Sequence, residues 1–259
     1  MKKKLALLLV LVMAVSMLGA CGGKDEPETE TQTEAQTDAE TAEDEDLSNL
    51  FGGDEGSNYG PYVQSLLDLD YKGITDTYLE LVDDTKENAE SFYDQCMEYW
   101  AYILANNYQL AVAVQGDETD TLYDEGVHDA LVQLTKDIFS HVKYEVADAV
   151  KTGDYYTVEV TLYPMLFTEL TKAEITAYQD EFNAATKAGE YGAYGEDEAD
   201  TLAGEIAYAN RVIEILSAST SKIDYDAPVS KIVKITKDEM GYYGISDQDY
   251  ADLENYLLY

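Results

Sequence analysis

His128 and His141 are the only imidazoles in this 259-residue chain, and with 53 Asp and Glu they are the groups best able to move protons near neutrality. A histidine beside a carboxylate in a concave site would serve a hydrolase-like enzyme as its general base. A helical zinc pair needs histidines four apart or an H-E-x-x-H run, and these two are thirteen apart, so both are read as ordinary polar residues. Carboxylate pairs discriminate little here. With so many acids, some will lie by chance at the roughly 5–10 Å that glycoside hydrolysis uses. Asp117, Asp120, Asp124 and Glu125 form the densest loop cluster, but their spacing departs from a calcium-binding EF-hand loop, and a solvated loop is the plainer reading. No G-x-S-x-G elbow, phosphate-cradling loop, dinucleotide-binding glycine pattern or C-x-x-C pair is present, so no catalytic residue, metal or cofactor is assigned.

The composition carries 23 Tyr against 5 Phe. Rings with a polar tip suit glycan or peptide recognition, yet Tyr78, Tyr93, Tyr144, Tyr156 and Tyr250 fall at core spacing, which favours structural use. Charge is the stronger constraint. Sixteen basic residues oppose 53 acidic ones for a net charge of −37, and Arg211 is the only arginine. Nucleic acid is excluded as a partner, because its recognition rests on clustered Lys and Arg against phosphates. Anionic headgroups are excluded as an electrostatic partner on the same ground. Cationic or neutral partners remain, including calcium, basic peptides, glycans and small molecules, and surface acid also keeps an exported chain soluble.

Lys2, Lys3 and Lys4, an apolar run over residues 5–18, then Gly19, Ala20 and Cys21 have the three-zone layout of an export signal. The run is shorter than the roughly 20 apolar residues a spanning helix needs. Leu18-Gly19-Ala20-Cys21 resembles the lipobox of bacterial lipoproteins, which implies cleavage before Cys21 and a diacylglyceryl thioether on it. Two acyl chains on one residue give a stable membrane anchor where one chain would not. Loss of the three leader lysines would take the charge from −37 to −40. With Cys21 lipidated, the second cysteine, Cys96, has no partner for an internal disulfide. Residues 22–46 hold eleven Asp or Glu, one Lys and no aromatic or large aliphatic side chain, so they are expected to form a disordered tether, completed by the Gly-rich 51–60 stretch. The expected organisation is a signal peptide over 1–20, a lipidated cysteine and tether over 21–58, and one domain over 59–259.

Within that domain, Val63, Leu66, Leu67 and Tyr71 recur at helical spacing, and Ile74, Tyr78 and Leu81 suggest a second short helix. Asp84 and Glu87 form an acidic capping box for a long helix whose stripe runs through Ala89, Phe92, Tyr93, Cys96, Met97, Trp100, Ile103 and Leu104. Core packing is expected for Trp100 and Cys96, and the thiol is expected to be inert. Val127, Leu131, Leu134 and Ile138 mark the next helix. Val142, Tyr144, Val146 and Val150 then alternate with polar residues, as do Tyr156, Val158, Val160 and Leu162 after a Thr152-Gly153-Asp154 turn, which predicts a hairpin ended by Pro164. Thr171 and Glu174 are read as the capping box of a helix bearing Ile175, Tyr178 and Phe182. A further helix carries Leu202, Ile206, Ala209, Ile213 and Leu216. Strands over 229–235 and 242–245 and a helix capped by Ser246 and Asp249, with Tyr250, Leu253 and Leu257, complete the pattern. Hairpins segregated from helical blocks predict an α+β fold, with helices packed on one face of a small antiparallel sheet built from two hairpins.

The segment Tyr71-Lys72-Gly73-Ile74-Thr75-Asp76-Thr77-Tyr78 with the capped helix after it, the run Tyr156-Thr157-Val158-Glu159-Val160-Thr161-Leu162-Tyr163-Pro164, and Gly241-Tyr242-Tyr243 resemble uncharacterised lipoproteins of clostridia and related Gram-positive bacteria. That resemblance implies an extracytoplasmic, lipid-anchored domain and supplies no activity. The order of elements is also distantly similar to nuclear transport factor two-like domains, which implies a pocket between sheet and helices. The expected role is a non-catalytic binding or interaction module held to the membrane through Cys21; the alternatives are a hydrolase-like enzyme using His128 or His141, and a small-ligand or solute-binding lipoprotein.

Overall fold

The computed structural model describes residues 58–114, 123–153, 155–190, 198–237 and 243–257, so the leader, Cys21 and the acidic tether lie outside the described residues. Helix α1 (Tyr59–Lys72) is buried on nearly every side, with Val63, Leu67, Leu69 and Tyr71 at most 1% exposed. It ends at Gly73, whose φ of +65° supplies the left-handed cap that other residues adopt at a cost. Gly60, expected in the tether, sits instead in the first turn of α1. A Cβ there would lie 2.8 Å from the Ala147 carbonyl oxygen, and the missing side chain lets the helix start against the sheet.

Helix α2 (Asp76–Leu81) is short, and α3 (Lys86–Tyr108) is the predicted long helix. Its cap is Thr85, in extended conformation and accepting from the Asn88 amide, rather than the expected Asp84 and Glu87 pair. Asp84 braces the cap from outside by accepting from the Thr85 amide and the Asn88 side chain. Helix α4 (Glu125–Phe139) is capped by Asp124, whose side chain accepts from the Val127 amide.

Among the described residues, β1 (Lys143–Val146), β2 (Val150–Thr152), β3 (Tyr155–Tyr163), β4 (Val229–Lys237) and β5 (Tyr243–Ile245) form one antiparallel sheet. Strand β3 pairs with β1 and β2 on one side and with β4 on the other, and β4 pairs with β5. The two predicted hairpins are therefore joined through β3 and β4. The first arm is not continuous. From Val146 to Val150 the chain advances four residues while its partner goes only from Val160 to Thr157, three residues. One extra residue is a bulge, and it reverses which side chains face in. Val150, expected on the apolar face, is consequently 62% exposed.

Helix α5 (Phe167–Lys187) begins five residues before the expected start, with Leu166 rather than Thr171 at its cap position. Thr171 is not its cap but a fully buried interior residue, with its hydroxyl turned back to the Phe167 carbonyl and within 3.3 Å of the Tyr108 hydroxyl. A buried Thr satisfies its hydroxyl in this way without ending the helix. Helix α6 (Glu198–Thr220) packs on α4 and α5. Helix α7 (Asp247–Glu254) is capped as predicted, with the Ser246 hydroxyl accepting from the Asp249 amide, and it lies on β4.

The fold class is α+β. Tyr156, Val158, Val160, Leu162, Val233 and Ile235 turn one face of the sheet inward, where α1 lies directly on β1 and β3, with α3 and α4 packed behind it. The space between the hairpin and α3, where a pocket was conceivable, is occupied by α1. There Tyr71 meets Phe139 and Tyr144 at 6.0 and 6.2 Å between ring centroids, and Trp100 meets Phe139 at 4.8 Å.

Candidate functional site

Helical spacing from Val63 through Leu66 and Leu67 reaches Asp70 as well as Tyr71, so α1 carries a carboxylate into the core along with its apolar stripe. Asp70 is 1% exposed. Its carboxylate accepts from the Tyr250 hydroxyl of α7 and from the Cys96 thiol of α3, tying together three helices. Both donors favour the ionised form, but desolvation outweighs them and raises Asp70 from 3.8 to about 6. Glu254 lies one helical turn beyond Tyr250 and is partly buried. Burial, with the nearby Asp70 charge, raises it from 4.5 to about 7. Burial and the same carboxylate push the Cys96 thiol and the Tyr250 hydroxyl well above their ordinary ranges. The Tyr71 hydroxyl, fully buried in the field of Asp70 and Glu254, has no hydrogen-bond partner among the described residues. This arrangement holds protons. It cannot admit an external substrate at Asp70.

Tyrosine hydroxyls take the place that cations occupy in less acidic proteins. Tyr144 donates to Asp68 at 2.6 Å and Tyr163 to Glu145 at 2.7 Å, besides Tyr250 to Asp70. Others tie backbone, with Tyr225 donating to the His141 carbonyl at 2.6 Å and Tyr208 to the Tyr108 carbonyl at 3.1 Å. Structural use accounts for these rings.

The two histidines are not brought together. His141 lies exposed beyond the end of α4. His128 stands between α3 and the short turn Ala111–Ala113, with Nδ1 2.9 Å from the Ala113 carbonyl and Nε2 3.0 Å from Glu98. Asp117 and Asp120 lie outside the described residues; Asp124 is spent on the α4 cap. Among the described residues no group of three or more His, Cys, Asp or Glu could hold a metal ion, and no helix is long and apolar enough to cross a membrane. Cys96 is buried as predicted, and its bond to Asp70 was not foreseen. Two signals could have found this cluster. Asp70 completes the 63, 66, 67, 70, 71 stripe, and Glu254 completes 250, 253, 254, 257.

Helices on one face of an antiparallel sheet of two joined hairpins define the class to which this chain belongs by architecture. The solved structure of a "putative lipoprotein", YcdA, from Bacillus subtilis is similar to it at a TM-score of 0.50 and 13% sequence identity, over 83% of this chain and 60% of that one. At this identity the likeness concerns the fold. This chain spans 60% of that protein's length. No family model and no curated protein matches the chain. The expected likeness to nuclear transport factor two-like domains gains nothing from these comparisons.

Proposed function

We propose that this protein is a lipoprotein anchored through Cys21 to the extracytoplasmic face of a membrane, and that its domain is a non-catalytic interaction module for a neutral-to-basic protein partner. The lipobox-like Leu18-Gly19-Ala20-Cys21 run and the fold shared with a putative Bacillus lipoprotein support the anchor. The outer face of the sheet carries the binding reading. Its outward positions include Val150, Thr152, Tyr155, Thr157, Thr161, Tyr163, Ser230, Ile232 and Thr236, with Val150 62% and Ile232 56% exposed. Lys143 and Lys234 there are balanced by Glu145 and Glu159, so the face is neutral on a chain of net charge −37. A Tyr- and aliphatic-bearing centre poor in net charge, inside a charged surround, is the composition of an interface core with a polar rim. The acidic surround would draw in a basic partner surface.

A photoreactive side chain placed at Ile232, compared in intact cells with one at the exposed Glu181 of α5, tests this. A discrete adduct to another protein from position 232 alone, weakened by salt, supports the module; no adduct, or the same adducts from both positions, overturns it. Replacing Cys21 by Ala should abolish lipid labelling and release the protein, and unchanged labelling would refute the anchor.

One observation favours the alternative of a hydrolase-like enzyme. His128 lies beside the Glu98 carboxylate, the histidine–carboxylate contact such an enzyme needs, although both ring nitrogens face acceptors here and one contact would have to open for the ring to take a proton from a substrate. The same contacts also pin α4 to α3. Hydrolysis of any substrate that disappears with both His128→Ala and Glu98→Gln, at unchanged thermal stability, would select the enzyme over the module.

A further inference from the structure

We infer that Asp70 and Glu254 form a proton-operated latch for α7: while the pair holds a proton the helix stays docked on α1, α3 and β4, and ionisation of both carboxylates releases it. The geometry restricts what can stabilise a second negative charge. On α1, Asp70 is flanked by Tyr71, while Asp68 and Lys72, two residues to either side and so on another face of the helix, are bonded to each other at 3.5 Å. From α3 the facing groups are Cys96, which donates to Asp70, and Tyr99, which lies in the field of Glu254. From β1 comes Tyr144, which already donates to Asp68. On α7 itself the titratable side chains among the described residues are Asp249, which accepts from the Lys234 backbone amide, Tyr250, Asp252, which accepts from Gln248, and Glu254. Of the β4 lysines whose side chains are described, Lys231 lies over the Tyr256 ring at 4.0 Å and Lys234 over the Tyr155 ring at 5.6 Å. The pair thus faces neutral donors and further carboxylates, and among the described residues no cation on these elements is placed against it.

Two carboxylates in one desolvated site ionise in coupled steps, the second against both burial and the first charge. Undocking α7 exposes Glu254 and Tyr250 and opens the end of α1 that holds Asp70, returning both carboxyls toward water. The docked state therefore binds more protons than the undocked one, and rising pH shifts the balance toward release. Burial of Tyr250, Leu253 and Leu257 opposes that release, so α7 opens in part of the population while the remaining core stays packed.

Hydrogen–deuterium exchange of the full-length protein at pH 5.5, 7.0 and 8.5, corrected for the base-catalysed rate of free amides, reads the latch directly. Peptides covering 247–257 should lose protection as pH rises through the region where the pair ionises, by at most tenfold per pH unit for each proton released, and level off toward pH 8.5, while peptides covering 127–138 of α4 should not lose it. Asp70→Asn and Glu254→Gln should each flatten the pH dependence at 247–257. Glu254 is partly exposed, so its replacement by Gln keeps the test alive even if Asp70→Asn fails to fold. Protection at 247–257 that is independent of pH, an equal loss at 127–138, or an undiminished loss in Glu254→Gln would overturn the proposal.

Discussion

Replacing Asp70 by Asn should make the protein's global stability less dependent on pH. Burial raises the Asp70 carboxyl from 3.8 to about 6, so the folded state holds the proton more tightly than the unfolded chain does. The stabilisation from that proton is complete below the unfolded value of 3.8 and is lost as pH rises through about 6. The whole displacement corresponds to about 3 kcal/mol, of which about 1 kcal/mol falls between pH 5 and pH 8. Asn keeps a carbonyl oxygen to accept from Tyr250 and Cys96 but cannot ionise. Relative to the parent, Asp70→Asn should therefore gain about 1 kcal/mol between pH 5 and pH 8, whatever its offset at pH 5. Glu254, raised from 4.5 to about 7 partly by the Asp70 charge, acts in the same direction: removing that charge lowers it and flattens the variant further. Urea unfolding of both proteins at each pH, analysed for midpoint and slope, measures the difference. A stability difference constant from pH 5 to pH 8, or one that moves against the variant, would show that Asp70 is not ionised at a desolvated site.

Tyr71→Phe removes a buried hydroxyl without a partner and should raise the melting temperature by about 2–4 °C in a circular-dichroism melt; a fall would mean that the hydroxyl is satisfied after all. Gly73→Ala forces an L-residue to φ of +65° and sets its Cβ 2.8 Å from the Tyr93 ring, so it should lower unfolding free energy in urea by about 2 kcal/mol. Cys96, buried and with its thiol pushed well above the ordinary range, should resist iodoacetamide in the native protein at pH 8 and react fully in urea, as followed by peptide mass mapping.

Elements with their own periodicity were legible in the sequence. The Cys96, Met97, Trp100 and Leu104 stripe, the alternation of Tyr156 to Leu162 and the Ser246 cap each declare themselves within a few residues, and the structure has them where the pattern places them. What escaped the pattern is of two kinds. Local alternatives of similar energy decided the α3 cap, where Thr85 at one position competes with Asp84 at the one before, and the bulge after Val146, which no residue type announces. The second kind is tertiary. Thr171 reads as a cap until Tyr108 buries it, and Asp70 reads as one acid among 53 until its stripe position is set beside Tyr250 and Glu254. A polar residue at a core position of an amphipathic helix is a legible signal; its partner, 180 residues away, is not.

That separation has a kinetic meaning. The Tyr250 to Asp70 contact spans 180 residues, whereas α3 against α4 and the hairpin of β1 and β3 close over far shorter loops. Loop closure grows more costly with length, so contacts of this span form after shorter ones have narrowed the search. Until α7 arrives, α1 must wait with an acid on the flank that α7 will cover, free to be hydrated and charged. Docking of α7 is then the step in which the acid takes up its proton, and the final stage of folding should run faster in mildly acidic solution than in alkaline.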